Sequence, residues 1–483
     1  MLFDINLFHL FVLITWQFSI FFGSQMIFPI FSNYTPRWRC GSESSFGTDC
    51  NVYRNCTNIQ FEDASSYCRM HESAVLEYDW ICDNRWKASL FEQVQFVGVL
   101  LGTQIFGAFS DAYGRKPVAI TALTVGILSN FISGLIKDWR WLMVSRFFVG
   151  LGIGGTIVGV CTFIMEMLLP KQRMALRAFF NWGVARLLMT FIAWILPEWR
   201  ASTLANAVTA LPALLIVLFI LPESPTWLIG KERLDDVEKS EKKIAKIVGK
   251  SYVKKQHCIP EKNKRLSDVF RVPEYRKRLF VLWMMWFTAA LCGYGTDLIS
   301  NRIIGNLYIN QAIFSILMTV SKIILVIVDS SCPNFNRRRL HQYSQALCCF
   351  FFLLLSIMLA AGYRGVPILA ISSLGTVFNE YTWDACYLCA VETMPTSMRA
   401  SSLGSCSFIA RVGSLCSPIL SYLATTWRPA PYLIVTAVGI VNLIVSCLYL
   451  VETKNINLEK VGENQNDANQ EEMVTMIDKS PKS

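Results

Sequence analysis

The sequence predicts an all-α integral membrane protein with about twelve membrane-spanning helices in two sets of six. Three observations predict it. Of the 483 residues, 53% are hydrophobic and only 17% are charged, and the mean hydropathy of +0.39 lies far from soluble-domain values. A span needs about 20 largely apolar residues, and about twelve such runs occur. A polar, Lys/Glu-rich stretch at 229–277 divides them six and six.

In chain order the runs lie near 7–30, 90–110, 118–136, 141–163, 177–197, 202–221, 279–298, 303–328, 343–362, 366–390, 401–423 and 430–450. The first lacks a basic n-region and a small-residue cleavage site, and it is long enough to span, so it reads as a helix rather than a removed signal. The expected organisation is a first six-helix unit over 1–228, a central loop over 229–277, a second unit over 278–455 and a polar, disordered tail over 456–483. Within the central loop, Leu234, Val237, Ile244, Ile247 and Val248 fall on one face of an amphipathic surface helix.

The net charge of +10 does not indicate nucleic acid, because the basic residues gather in loops that alternate along the chain. Arg115 and Lys116, then Lys171, Arg173 and Arg177, then the central loop and Arg337 to Arg339 share one side. The positive-inside rule makes that side cytoplasmic, with both termini on it and the chain multi-pass in the plasma membrane. The loop at 31–88 falls on the other side. It carries Cys40, Cys50, Cys56, Cys68 and Cys82, with glycosylation sequons at Asn33 and Asn55. About 58 residues bury little core without staples, so these cysteines read as disulfides, with one thiol left over. A metal site is not expected, since there is no CxxC pair and His71 is the loop's only histidine.

Charged residues inside the apolar runs are the candidates for function. Lys322 and Arg411 each interrupt such a run. A cation at mid-membrane costs roughly 2.5–3.5 kcal/mol and needs a counter-ion or a watered cavity. Two of them point to an anion cavity, although Lys322 could snorkel to the interface and Arg411 could sit in a structural ion pair. Glu380 and Asp384, one turn apart, and Arg186 are further intramembrane charges. Pairs such as Lys322 with Asp384, or Arg411 with Glu380, would neutralise the cavity.

Two loop segments repeat between the halves. Asp111, Gly114 and Arg115 lie between the second and third runs, and Asp329, Arg337 and Arg338 lie between the eighth and ninth. An acid beside cations in a short glycine turn can form an ion-pair latch between helix ends. Repetition of this kind is what two six-helix halves leave in a sequence. Gly98, Gly102, Gly107, Gly150, Gly154, Gly155 and Gly159 suit close helix packing.

These features resemble the major facilitator superfamily over almost the whole chain. Within it, the segments Glu77–Trp86, Pro222–Leu228 and Val391–Arg399 are similar to the organic ion transporters, which carry cations, anions and carnitine. Asn310–Lys322 and Phe408–Pro418 resemble the anion-carrying branch, where cation carriers have an aspartate at the position of Arg411. The resemblance implies a secondary transporter of small organic ions, anions first, working by rocking of two bundles around a midplane site. Arg411, Lys322, Tyr294, Tyr387, Trp194, Glu380 and Asp384 are the implied substrate-binding residues. A counter-transported dicarboxylate is a further implied partner beside the lipid bilayer. The chain departs from the family pattern at Asn336, a glycine elsewhere, and at Thr226, an arginine elsewhere.

No nucleophile arrangement, phosphate loop or metal cluster occurs, so neither an enzyme nor a cofactor is expected. The alternatives are a carnitine-like zwitterion or cation carrier using Glu380 and Asp384, and a non-transporting receptor that keeps the fold.

Overall fold

The computed structural model describes residues 6–41, 45–62, 72–168, 180–252, 266–303, 305–331, 336–363, 365–394 and 396–451. Among these residues are twelve membrane helices. They are α1 Leu7–Gly23, α2 Arg85–Tyr113, α3 Arg115–Leu135, α4 Trp139–Gly155, α5 Trp182–Ile195 and α6 Trp199–Leu215 in the first half. The second half holds α7 Pro273–Ile299, α8 Leu307–Ser331, α9 Arg337–Ala360, α10 Val366–Thr393, α11 Thr396–Leu415 and α12 Ala430–Tyr449. Ten, counted with their short continuations, are long and apolar enough to cross a membrane. The other two are α5, only 14 residues long, and α10, whose second half carries Glu380, Asp384 and Glu392. Lys171, Arg173, Arg177, Cys68, His71 and the tail at 456–483 lie outside the described residues.

Local chemistry sets the helix starts. The Asp138 carboxylate accepts from the Arg140 N–H at 2.8 Å to open α4, and the Asn181 amide oxygen accepts from the Val184 N–H at 3.2 Å to open α5. Between α2 and α3 the backbone of Gly114 sits at φ +119°, a region that L side chains avoid. Asn336, at the matching place before α9, has φ −76°, so that turn does not require the family's glycine.

Glycines bring α2 and α4 into backbone contact. A Cβ on Gly102 would lie 2.2 Å from the Leu151 carbonyl oxygen, and one on Gly150 would lie 2.0 Å from that of Gln95. Where polypeptide approaches polypeptide this closely, dispersion and lipid exclusion replace a hydrophobic driving force. Gly107 and Gly159 are different: a Cβ there meets only side chains at 3.4 and 3.5 Å.

The loop between α1 and α2 is a small stapled subdomain. Disulfides join Cys40 to Cys56 and Cys50 to Cys82, and strands Trp38–Cys40 and Ile59–Phe61 pair antiparallel. Its core of Trp38, Ala74, Val75, Trp80 and Ile81 continues into Phe91, Leu142, Met143 and Trp199 at the ends of α2, α4 and α6. Glu77 fixes the docking, accepting from Trp199 Nε1 at 2.7 Å and from Arg200 Nη2 at 2.7 Å. The two sequons part company here. Asn55 is exposed, whereas Asn33 is buried and its amide donates at 3.0 Å to both the Ala88 carbonyl and Glu92 Oε1.

The halves meet on the side of this subdomain, where α1, α7 and α11 end and α2 and α8 begin. Phe31 stacks on Tyr308 with ring centres 6.3 Å apart, Asn301 Nδ2 donates to the Ile30 carbonyl at 3.1 Å, and Gln93 Nε2 donates to the Leu415 carbonyl at 3.0 Å. Deeper in, α5 abuts α8, because a Cβ on Gly183 would lie 2.5 Å from Thr319 Oγ1.

Gly102→Val should abolish stable folding, since the α2–α4 backbones have no room to yield, while Gly107→Ala should be tolerated with a cost under about 1 kcal/mol. Melting curves of the two detergent-purified variants check this; equal behaviour would contradict the packing argument.

Candidate functional site

A cavity of about 230 Å³ lies between the halves, on the far side of the seam from the stapled subdomain. Trp16 of α1 and Asn181 and Trp182 at the start of α5 form one wall. Tyr294 and Asp297 of α7, Lys322 of α8, and Glu380, Trp383, Asp384 and Tyr387 of α10 form the other.

The sequence expectation for Lys322 is met by both acids at once. Its Nζ lies 2.7 Å from Asp384 Oδ2 and 3.0 Å from Glu380 Oε2. Glu380 and Asp384 share a helix face at i and i+4, which lets one lysine bridge them. The cluster therefore carries one carboxylate charge more than it neutralises. Pairing of Arg411 with Glu380 does not occur. Arg411 is 8% exposed, its Nη1 donates to Tyr294 Oη at 3.4 Å and its Nε has no hydrogen-bond partner. No carboxylate among the described residues forms an ion pair with it.

Tyr294 connects these groups. Its ring meets Phe96 edge-on at 5.7 Å and Trp182 at 6.5 Å, and its phenol lies beside the Arg411 guanidinium. Tyr387 lines the cavity and packs on Trp286 at 5.1 Å. Trp194 does not belong here. It is 57% exposed on α5, beside Phe191, and is absent from the cavity wall. The α5 aromatic that faces the cavity is Trp182, on a different helix face, and helical phase separates the two.

Arg186 finds a partner that sequence reasoning passed over. Its Nη1 lies 2.5 Å from Asp297 Oδ1 and its Nη2 donates to Gln311 Oε1 at 2.6 Å. Arg186 is wholly buried and Asp297 is 7% exposed. This bridge ties α5 of the first half to α7 and α8 of the second. Asp297 was visible as an acid in an apolar run, the same signal that singled out Glu380 and Asp384.

The latch residues staple helix ends within each half instead of between halves. Arg115, the first residue of α3, reaches Asp111 at 2.7 Å and Glu166 at 3.1 Å. Glu223 caps α3, accepting from the backbone N–H groups of Arg115 and Lys116 at 3.0 Å each. A Cβ on Gly114 would lie 2.7 Å from Glu223 Oε2, a second reason for glycine there. In the other half Arg337, the first residue of α9, faces Glu392 near the end of α10 at 3.4 Å. Arg338 donates to the Cys447 carbonyl at 2.7 Å, and the side chain of Asp329 lies outside the described residues. Glu166, Glu223 and Glu392 are the latch members that the loop motifs alone did not indicate.

Removing one partner of a buried pair strands the other charge, at a cost of about 3 kcal/mol. Asp297→Asn should therefore lower the melting temperature by several degrees, and the double variant Arg186→Leu, Asp297→Leu should recover most of it. A double variant as unstable as the single one would count against the bridge.

Comparison with known proteins agrees with this architecture. The family described as sugar (and other) transporter matches residues 52–464. An uncharacterized protein of Caenorhabditis elegans is 33% identical over 98% of this chain and 98% of its own length. The organic cation transporter-like protein of Drosophila melanogaster is 25% identical over 88% of this chain and 76% of its own. Solute carrier family 22 member 16 of Xenopus laevis is 26% identical over 85% and 73%. The inward-open structure of the E. coli xylose transporter XylE, at 15% identity, shares the fold with a TM-score of 0.66 over 94% of this chain and 99% of its own. With its helical halves, its central cavity and these relatives, the chain belongs to the sugar (and other) transporter family, with the major facilitator fold, and is a membrane transporter and not an enzyme.

Proposed function

We propose that the chain carries a small zwitterion of the carnitine type, an ammonium group and a carboxylate on one short frame, by alternating access. One observation carries this reading: the cavity wall holds an excess carboxylate at Lys322, Glu380 and Asp384, while the Arg411 guanidinium beside Tyr294 has no acidic partner among the described residues. Arg411 lies behind Tyr294 and not in the cavity wall itself, so a substrate bearing both charges satisfies both by reaching past that phenol. Trp16, Trp182, Tyr294, Trp383 and Tyr387 give a quaternary ammonium the aromatic faces it prefers. Similarity to an organic cation transporter-like protein of Drosophila melanogaster and an organic cation/carnitine transporter of Arabidopsis thaliana supports a site that accepts a positive group.

An organic anion is the second reading, favoured by the bidentate fork of Arg411. Lys322 lends it less than its sequence position suggested, because two acids already claim that lysine. For a zwitterion, Asp384→Asn should lower apparent affinity for carnitine about tenfold, and Arg411→Ala should do the same while sparing tetraethylammonium. For an anion, Asp384→Asn should instead raise affinity for para-aminohippurate by freeing the lysine. Radiolabel uptake into proteoliposomes separates these outcomes, and absence of any flux would favour the receptor reading.

The stapled loop belongs outside the plasma membrane, where disulfides persist, and both termini belong in the cytoplasm on the arginine-rich side. Asn55 is then the glycan acceptor. Asn55→Gln should remove the endoglycosidase-sensitive mass shift of the cell-expressed protein and Asn33→Gln should not; the reverse result would overturn the assignment.

A further inference from the structure

A second cavity, of about 550 Å³, lies where the stapled subdomain, the start of α2, the α7–α8 turn and the Ser417–Thr426 continuation of α11 converge. Among the described residues, four arginines line it, Arg37, Arg85, Arg302 and Arg428, against two glutamates, Glu62 and Glu92. Arg37 is matched by Glu62 at 2.9 Å. Arg302 donates to the Ser421 carbonyl at 3.2 Å; it is attracted by Glu92 and repelled by Arg85 and Arg428. Arg85 has one hydrogen bond, to the disulfide-bonded sulfur of Cys50 at 3.4 Å. Arg85 and Arg302 thus share one glutamate, Glu92, in a space large enough for a small organic molecule. Trp80, 1% exposed on the same wall, has an indole N–H with no acceptor.

We propose that this vestibule is a second binding site, distinct from the central cavity, for a small organic carboxylate held by Arg85 and Arg302. A carboxylate supplies what the wall lacks: two oxygens for planar guanidinium forks and an acceptor for the Trp80 N–H. The apolar remainder of such a ligand meets the rings of Tyr34 and Phe46. Arg85 belongs to the first half and Arg302 to the second, so a bound carboxylate ties the halves together at the seam. The assignment does not depend on which ion the central cavity carries.

Benzoate binding to the purified full-length protein, followed by titration calorimetry at low ionic strength, tests the site. Arg85→Gln and Arg302→Gln should each weaken benzoate at least about tenfold, the size expected for one charge-assisted contact. Glu92→Gln should strengthen it several-fold, because the amide oxygen still accepts from Asn33 while the opposing charge is gone. A gain of affinity is an outcome that misfolding does not produce. Binding should survive Arg411→Ala, because Arg411 lies beside Tyr294 and is not among the residues lining the vestibule. The proposal is overturned if the wild-type chain does not bind benzoate, if Arg85→Gln and Arg302→Gln leave affinity unchanged, or if Arg411→Ala alone abolishes it. It is overturned equally if chloride binds with the same arginine dependence and benzoate fails to displace it, which would make this an inorganic-anion site.

Discussion

The cost of placing a charge in hydrocarbon governs this molecule more than any other term. Each intramembrane ion at the centre solves that cost differently. Arg186 is buried with Asp297 and Gln311, which take its two Nη groups and leave only its Nε unpartnered. Lys322 is shared between two acids and left on a cavity wall. Arg411 takes only a phenol. Pairing thus runs from nearly complete at Arg186, through shared at Lys322, to a single phenol at Arg411 among the described residues. Groups whose pairing is incomplete are the ones a substrate can still complete.

The internal repeat adds a second principle. Arg115 with Glu166, and Arg337 with Glu392, join the first residue of a third helix to the end of a fourth in each half. These pairs make each half a rigid body at the side away from the stapled loop. The contacts between the halves are of another kind: Gly183 lets α5 press on α8 and the Arg186 bridge lies close by, so the proposed rocking would concentrate there. Rigidity within halves and adjustability between them are both written in the placement of charges at helix ends.

Hydropathy made the twelve helices legible because every span must satisfy its own backbone in lipid, which leaves long apolar runs. The Lys322–Asp384 contact was legible because charges in such runs need partners. Asp297 carried the same signal but lay close to the end of its run, where an acid reads as interfacial. Trp194 and Trp182 could not be told apart, since the polar marks of α5, Arg186 and Thr190, fall between the two rings in helical phase. The sequence already favours Asn55 as the acceptor, because Asn33 lies beside the first span and is followed by Pro36; the docking of Asn33 against Ala88 and Glu92 points the same way. Glu166 and Glu223 come from helix ends far along the chain and meet Arg115 only through the tertiary fold.

The stapled subdomain is welded to one half. Its hydrophobic core runs into α2, α4 and α6, and Glu77 grips Trp199 and Arg200 of α6. In the proposed alternating-access cycle it travels with the first half as a single lever, its rim moving against the outer ends of α7, α8 and α11. A lever of this kind amplifies a small rotation at the bundle seam into a larger displacement at its tip. On the proposed topology it also makes the outer surface a handle, through which an antibody spanning the subdomain and the second half would arrest the proposed cycle from outside the cell.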